Sequence, residues 1–492
     1  MTFEIVFVLL SLLGMVAALI ADKMRPGMIL FSVVVLFLCA GILTPKEMLE
    51  GFSNKGMITV ALLFLVSEGI RQSGTLGQVI KKLLPQGKTT VFKAQLRILP
   101  SVAFISAFLN NTPVVVIFAP IIKHWAKSVN LPATKFLIPL SYVTILGGIC
   151  TLIGTSTNLV VHGMILEAGF EGFSMFELGK VGIFIAIAGI IYIFLFSKRL
   201  LPDARPDTAV PDEEVEEGEK LHRVEAVLGA RFPGINKKLK DFNFQRHYGA
   251  EVKEIKTRNG QRFVSNLEDV VLHEGDTLVV MADDTFIPTW GESSVFVLLT
   301  NGNEPDTTGK KKRWFALLLL VLMIVGATVG ELPVTKEMFP DIKLDMFFFV
   351  SITTIIMAWT NLFPARKYTK YISWDILITI ACAFAISKAM VNSGVADSVA
   401  KFIIGLSDDY GPHVLLAMLF IITNLFTELI TNNAAAALAF PLALSIASQL
   451  GVSPTPFFVV ICMAASASFS TPIGYQTNLI VQGIGNYKFT DF

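Results

Sequence analysis

The chain has 492 residues, 53% of them hydrophobic and only 16% charged, with a mean hydropathy of +0.63. A soluble protein carries about 25% charged residues, so a deficit sustained over this length excludes a wholly soluble protein. Forty basic residues against 39 acidic give a net charge of +1, which leaves no case for a nucleic-acid binder.

From the N-terminus, Thr2 to Ala21 is apolar and is followed by Asp22-Lys23-Met24-Arg25. No positive charge precedes it and no small-residue cleavage site follows, so a retained first span is expected rather than a cleaved signal peptide. Bilayer-spanning helices need roughly 20 apolar residues. The runs near that size are 3–21, 28–43, 56–70, 136–166, 180–196, 314–330, 344–361, 374–388 and 455–481. Span 56–70 is short and carries Glu68. Two further stretches, 98–128 and 412–448, are each interrupted by an Asn cluster at the middle. The four cysteines, Cys39, Cys150, Cys382 and Cys462, lie singly inside apolar runs and read as packing residues.

Residues 203–312 break the pattern. An acidic run, Asp212 to Glu219, leads into alternating segments at 223–228, 251–255 and 277–281. A helix-like segment lies near Lys237 to Phe242, with turns at Asn259-Gly260 and Glu274-Gly275-Asp276. This insertion should be a small α/β domain between two membrane parts, 1–202 and 313–492. Basic residues collect in cytoplasmic loops. Here they lie in 71–97, in 197–205, at Lys310-Lys311-Lys312-Arg313 and at Arg366, Lys367 and Lys370. Placing these inside makes the insertion cytoplasmic and the N-terminus external, in the inner membrane of a cell. It also makes 98–128 a re-entrant hairpin.

The interrupted stretches open matching segments. Asn110-Asn111-Thr112-Pro113, Phe118-Ala119-Pro120 and Gly154-Thr155-Ser156-Thr157-Asn158 recur as Thr431-Asn432-Asn433-Ala434, Ala439-Phe440-Pro441 and Gly474-Tyr475-Gln476-Thr477-Asn478. Asn111 to Asn158 spans 47 residues and Asn432 to Asn478 spans 46. The loop assignment sends the first hairpin (98–128) in from the cytoplasm and the second (412–448) in from outside. With broken spans at 136–166 and 455–481, that is an inverted-topology repeat, a signature of secondary transporters. A span that follows Asn158 in the first half has no counterpart after Asn478. By symmetry one is missing, through truncation or a naturally short chain.

Polar backbone at membrane depth must line a cavity or bond internally. Freed carbonyls and Asn, Ser and Thr oxygens suit Na⁺, a hard cation. Half-helix N-termini suit an anion. No Asp or Glu lies within the tips, so an anion is not repelled. Glu428, beside the second tip, reads equally as a cation ligand or as a residue at the hairpin's polar entrance. Thr155, Ser156 and Thr157 read either as site residues or as a cap on the second half-helix. No GxSxG, HExxH or GxxxxGK[ST] pattern occurs, so an enzyme is not expected.

At these clusters the chain resembles the divalent anion/sodium symporter family of the ion transporter superfamily. The resemblance covers nearly all of the membrane part. It implies two inverted repeats, each with a re-entrant hairpin and a broken helix, a homodimer in the lipid bilayer, and an elevator-like shift of a transport domain against a scaffold. The family's Ser-Asn-Thr hairpin motif stands here as Asn110-Asn111-Thr112 and Thr431-Asn432-Asn433. Carried over, Ser106, Asn110, Asn111 and Gly154 form the first Na⁺ site. Thr427, Ile430 (through its carbonyl), Asn432 and Gly474 form the second. Asn111, Thr112, Asn432 and Asn433, with Tyr475 and Gln476, contact the small dianion. Dicarboxylate carriers usually keep both Ser-Asn-Thr motifs, and this combination is closer to the sulfate-transporter-like branch. Gly249-Ala250-Glu251-Val252 and the 272–280 segment resemble a TrkA-C domain, which implies either a small regulatory ligand or a ligand-free dimer spacer.

The expected function is Na⁺-coupled import of a small divalent oxyanion, sulfate preferred. Alternatives within the superfamily are a dicarboxylate symporter and an arsenite or cation antiporter. Outside transport, the alternative is an anion sensor signalling through the central domain.

Overall fold

A computed structural model describes residues 3–21, 24–203, 222–229, 232–257, 261–283, 286, 290, 295–300, 310–339, 341–405, 411–472 and 474–492. The acidic run at 212–219 and the Asn259-Gly260 turn lie outside these. The first half contains α1 (Phe3–Ala21), α2 (Pro26–Cys39), α3 (Pro45–Glu50), α4 (Lys55–Gln72) and α5 (Thr75–Leu83). It continues through α6 (Val91–Ser106), α7 (Asn111–Ser128), α8 (Thr134–Gly148), α9 (Ser156–Glu167) and α10 (Gly179–Leu200). The second half contains α12 (Lys310–Gly330), α13 (Pro333–Met338), α14 (Met346–Trp359), α15 (Tyr368–Tyr371), α16 (Trp374–Asn392) and α17 (Val395–Gly405). After these come α18 (Pro412–Leu429), α19 (Asn432–Leu450), α20 (Thr455–Ser466) and α21 (Gln476–Gly485). Between the halves, in the central domain, lies the short α11 (Phe244–Tyr248).

Both interrupted stretches are helix pairs closed by a tip, α6–α7 and α18–α19. Both expected broken spans are two helices separated by irregular backbone, α8–α9 and α20–α21. At each tip the residue before the second helix, Asn110 or Thr431, holds extended backbone without a side-chain cap, and a new helix starts at the next residue. Glu68, the charge within span 56–70, pairs with Arg71 on the same helix face at 2.7 Å. Two amphipathic helices, α5 and α17, were not among the predicted elements. Each begins just after a glycine of positive φ, Gly74 (69°) and Gly394 (75°), where a left-handed turn follows a long span.

The halves exchange partners. α2 of the first packs on α16 of the second, and α14 of the second packs on α4 of the first. An ion pair between Lys55 and Asp345 ties α4 to α14. Without a hydrophobic drive between helices in lipid, close approach depends on small residues. Gly147 on α8 meets the Ala103 backbone on α6, and Gly51 meets the Ala381 backbone on α16. The run Ala434 to Ala437 is fully buried, and it lets α19 sit at the centre. In its most apolar window α19 is 78% buried, against 11% for α1 and 22% for α10, which turn their faces outward.

The central domain is a five-stranded antiparallel sheet: β1 (His222–Leu228), β2 (Glu251–Lys256), β3 (Arg262–Phe263), β4 (Thr277–Ala282) and β5 (Phe296–Thr300), in the order β3-β2-β4-β1-β5. Alternation of Val224, Ala226 and Leu228 opposite Leu278 and Val280 buries one face against Phe232, Phe242, Phe244 and Tyr248. The three predicted strands are present, and β3 and β5 are additional. The helix-like segment resolves into a 3-10 turn at Leu239–Asp241 followed by α11.

Among the described residues, the domain rests on the membrane part through α7 and α21. Lys123 of α7 reaches Glu225 of β1 at 3.0 Å. The turn at Gly275 (φ 85°) packs on Leu479, and Thr277 packs on Gly483, both on α21. Burial pushes the Glu225 carboxyl up, but the ammonium groups of Lys123 and Lys256 more than offset this and hold it at about 2.

Candidate functional site

Each hairpin tip is closed by the same hydrogen-bond pattern. Ser106 donates to the Thr144 carbonyl (2.9 Å) and is bonded to the Asn111 side chain at 2.8 Å. Thr427 donates to the Ala465 carbonyl (2.7 Å), and its hydroxyl lies 3.2 Å from the Asn432 side-chain amide. The helix breaks are also closed alike. Asn158 Nδ2 donates to the carbonyls of Thr151 (2.9 Å) and Gly148 (3.4 Å). Asn478 Nδ2 donates to those of Ser468 (2.9 Å) and Thr471 (3.1 Å). The repeat read from sequence motifs is therefore a repeat of bonded geometry, and it pairs Ser106 with Thr427, Asn111 with Asn432, and Asn158 with Asn478.

Between the halves the tips meet the breaks. Asn111, 1% exposed, satisfies its neighbours with its amide oxygen toward the Tyr475 hydroxyl at 2.5 Å. Its NH₂ then faces Ser106 Oγ (2.8 Å) and the carbonyls of Thr144 (3.1 Å) and Gly154 (3.2 Å). Thr155 Oγ1 lies 3.1 Å from the same Tyr475 hydroxyl. Thr112 donates to Gln476 Oε1 at 3.2 Å. Ser156 and Thr157 both donate to Asn433 Oδ1 at 3.3 Å. Four helix N-termini, those of α7, α9, α19 and α21, are thus linked through neutral side chains. None of their N-cap residues (Asn110, Thr155, Thr431 and Tyr475) caps its own helix with its side chain. Four positive dipole ends, with no side-chain cap of their own, are brought together there, an arrangement that receives an anion without a fixed cation.

The glycines named from sequence fill tight places. A Cβ on Gly154 would overlap the Gly148 carbonyl, and one on Gly474 would overlap Ser468 Oγ. Ile430 bridges α18 and α19 in extended backbone, between Thr427 and Asn432. Asn110 lines a small pocket with Val60, Ser67, Ile153, Ser156 and Met323, beside the first break. Glu428 accepts from the Ser470 N–H (3.0 Å) and from Thr471 Oγ1 (2.8 Å), which holds the second break in place.

Several participants were not among the sequence-derived site residues. The carbonyls of Thr144 and Ala465 carry no sequence signal, because any residue has one. Thr155, Ser156 and Thr157 left both roles open, and they bond across the repeats. Ser141 donates to Asn478 Oδ1 at 2.7 Å from the middle of α8, where a lone Ser ordinarily bonds a neighbouring helix. A cavity of about 1260 Å³ runs from residues such as Asn54, Lys55, Glu167, Lys343 and Asp345 to Leu152 and Leu159, beside the first break.

Helices long and apolar enough to cross a membrane, arranged as a repeat with facing tips and breaks, define a polytopic transporter. The sequence pattern of the citrate transporter family matches residues 16–443 and 342–492, and the chain belongs to that family. An uncharacterized transporter of Synechocystis sp. is 30% identical over 94% of this chain and 89% of its own length. An uncharacterized transporter of Escherichia coli is 25% identical over 99% of this chain and 95% of its own. Sodium/sulfate cotransporter 2 of Chlamydomonas reinhardtii is 31% identical over 55% of this chain and 30% of its own. Family and relatives are transporters, not enzymes, and they fall where the motifs placed the chain.

Proposed function

We propose that this transporter is a Na⁺-coupled symporter of a small divalent oxyanion, sulfate preferred, working by an elevator-type shift of a transport domain against a scaffold. The observation that carries the reading is the junction of four helix N-termini joined through Asn111, Thr112, Thr155, Ser156, Thr157, Asn433, Tyr475 and Gln476. A dianion held there is stabilised by dipoles and by cations bound alongside it, so a lysine or arginine at the junction is not needed. The two Na⁺ sites are the tip clusters, Ser106, Asn110, Asn111 and Gly154 in the first repeat, and Thr427, Ile430, Asn432 and Gly474 in the second. The relative named a sodium/sulfate cotransporter supports both the ion and the anion.

Further parts of the reading are a homodimer in the inner membrane of a cell and a cytoplasmic, TrkA-C-like central domain spanning about 203–312 that takes a small regulatory ligand. The basic runs beside the domain support its side. A dicarboxylate or related organic anion is the second reading, favoured by the citrate name of the family. Competition of labelled sulfate uptake by unlabelled succinate, citrate and arsenite separates them. Uptake blocked by succinate or citrate and not by excess sulfate overturns the sulfate preference.

A further inference from the structure

The second tip cluster carries a carboxylate and a buried hydroxyl at positions where the first repeat has neither. On the register that pairs Ser106 with Thr427, Glu428 stands where the first repeat has Ala107. On the register that pairs Asn158 with Asn478, Ser468 stands where the first repeat has Gly148. Gly148 has no space for a side chain, since a Cβ there would come within 3.0 Å of Asn111 Nδ2. In the second repeat that space is occupied. Ser468 is fully buried, and its hydroxyl has no hydrogen-bond partner among the described residues. It is turned against Gly474. A Cβ built at Gly474 would also lie 3.0 Å from the Thr427 carbonyl oxygen and 3.2 Å from Glu428 Oε2. A hydroxyl, a carbonyl and a carboxylate oxygen therefore face the same small volume beside Gly474.

Buried hydroxyls without a partner, Ser468 and in the same repeat also Thr423, Thr431 and Ser466, ask for an explanation, of which an ion is one; of these, only Ser468 lies against the Gly474 backbone beside a carboxylate. The bonds from Ser470 N–H and Thr471 Oγ1 fix the Glu428 carboxylate in place and leave it acceptor capacity. Among the described residues no group of three or more His, Cys, Asp and Glu gathers to hold a metal ion. The donors are hard oxygens with a single negative charge, which fits an alkali cation better than a transition metal or a divalent ion.

We propose that Glu428 and Ser468, with the Thr427 carbonyl, form a carboxylate-bearing site for one monovalent alkali cation in the second repeat, which the first repeat cannot match. This rests on the Na⁺-coupled reading and deepens it. The fixed charge makes the second site the tighter one, so it fills at lower Na⁺ concentration. The first site holds its ion with neutral oxygens alone. Occupation supplies the Ser468 hydroxyl with its missing partner and places a positive charge behind the N-termini of α19 and α21, next to where the anion sits.

The test uses the full chain in lipid nanodiscs and proteoliposomes, with Na⁺ exchanged against choline at constant ionic strength. The readouts are the Na⁺ concentration for half-maximal thermal stabilisation and for half-maximal labelled-sulfate uptake, and the ratio of Na⁺ to Li⁺ response. Ser468→Ala removes a hydroxyl that holds nothing else, so a purely structural role predicts no loss. The proposal expects half-saturation to rise by about fivefold or more, as for one lost ligand. Glu428→Gln should raise it by about tenfold or more and shift the Na⁺/Li⁺ ratio, on the same scale of one lost charge-assisted contact. Wild-type half-saturation and ion ratio in Ser468→Ala overturn the proposal, whatever Glu428→Gln does to folding. A wild-type protein that responds to neither cation overturns the coupling reading and the proposal with it.

Discussion

Tyr475→Phe tests the junction between the repeats with the smallest possible perturbation. The ring is retained, so packing at this buried position is preserved. Only the hydroxyl that bridges Asn111 (2.5 Å) and Thr155 (3.1 Å) is lost. Each neutral hydrogen bond contributes about 0.5–1.5 kcal/mol net. Two of them give about 1 to 3 kcal/mol, and at 1.4 kcal/mol per tenfold that is ~5- to 150-fold. If the bridge holds the N-termini of α7 and α9 toward the anion, the loss appears as a higher KM for labelled sulfate at saturating Na⁺. Purified protein should keep its detergent-solubilised yield and elution profile. An unchanged KM and maximal rate would refute the placement of the anion at this junction.

Gly154→Ala should abolish uptake, because the added methyl overlaps the Gly148 carbonyl; overpacking of this kind costs about 1–3 kcal/mol, seen as a lower Tm. Asn478→Ala leaves the Ser468 and Thr471 carbonyls short of a partner, at about 1–3 kcal/mol for each unsatisfied group, so the Tm should fall. Lys123→Ala removes the partly buried pair with Glu225 and should speed proteolysis and hydrogen exchange at β1 while leaving the membrane helices protected. The same pair gives a pH dependence. The folded carboxyl lies at about 2, below its ordinary value of 4.5, so its contribution is fully present above 4.5 and is lost as pH falls toward 2. Wild-type β1 should therefore open on acidification through that window, and Lys123→Ala should flatten the response.

Much of the architecture was legible because lipid leaves polar backbone few alternatives. Asn110-Asn111 and Asn432-Asn433 inside apolar runs forced tips, and Gly154 and Gly474 ahead of Asn158 and Asn478 forced breaks. Helices α5 and α17 were hidden for the opposite reason. Lys81, Lys82, Asp397 and Lys401, exposed on the polar side, interrupt the apolar sequence, so no long run announces these helices, although Ser73-Gly74 and Ser393-Gly394 mark both starts. β3 has two residues, too few to alternate. In the site, motif residues were found and backbone partners were not, since the Thr144 and Ala465 carbonyls depend on helix packing. Ser468 carries no signal of its own, because only the shared spacing to Asn158 and Asn478 sets it opposite Gly148.

The most direct measurement is uptake of labelled sulfate into proteoliposomes holding the purified full chain, with an inward Na⁺ gradient, with equal Na⁺ on both sides, and with choline. The account predicts concentrative uptake with the gradient, equilibration without it, and strong suppression in choline. Uptake indifferent to Na⁺, or binding of sulfate with no transport under any of the three conditions, would contradict it.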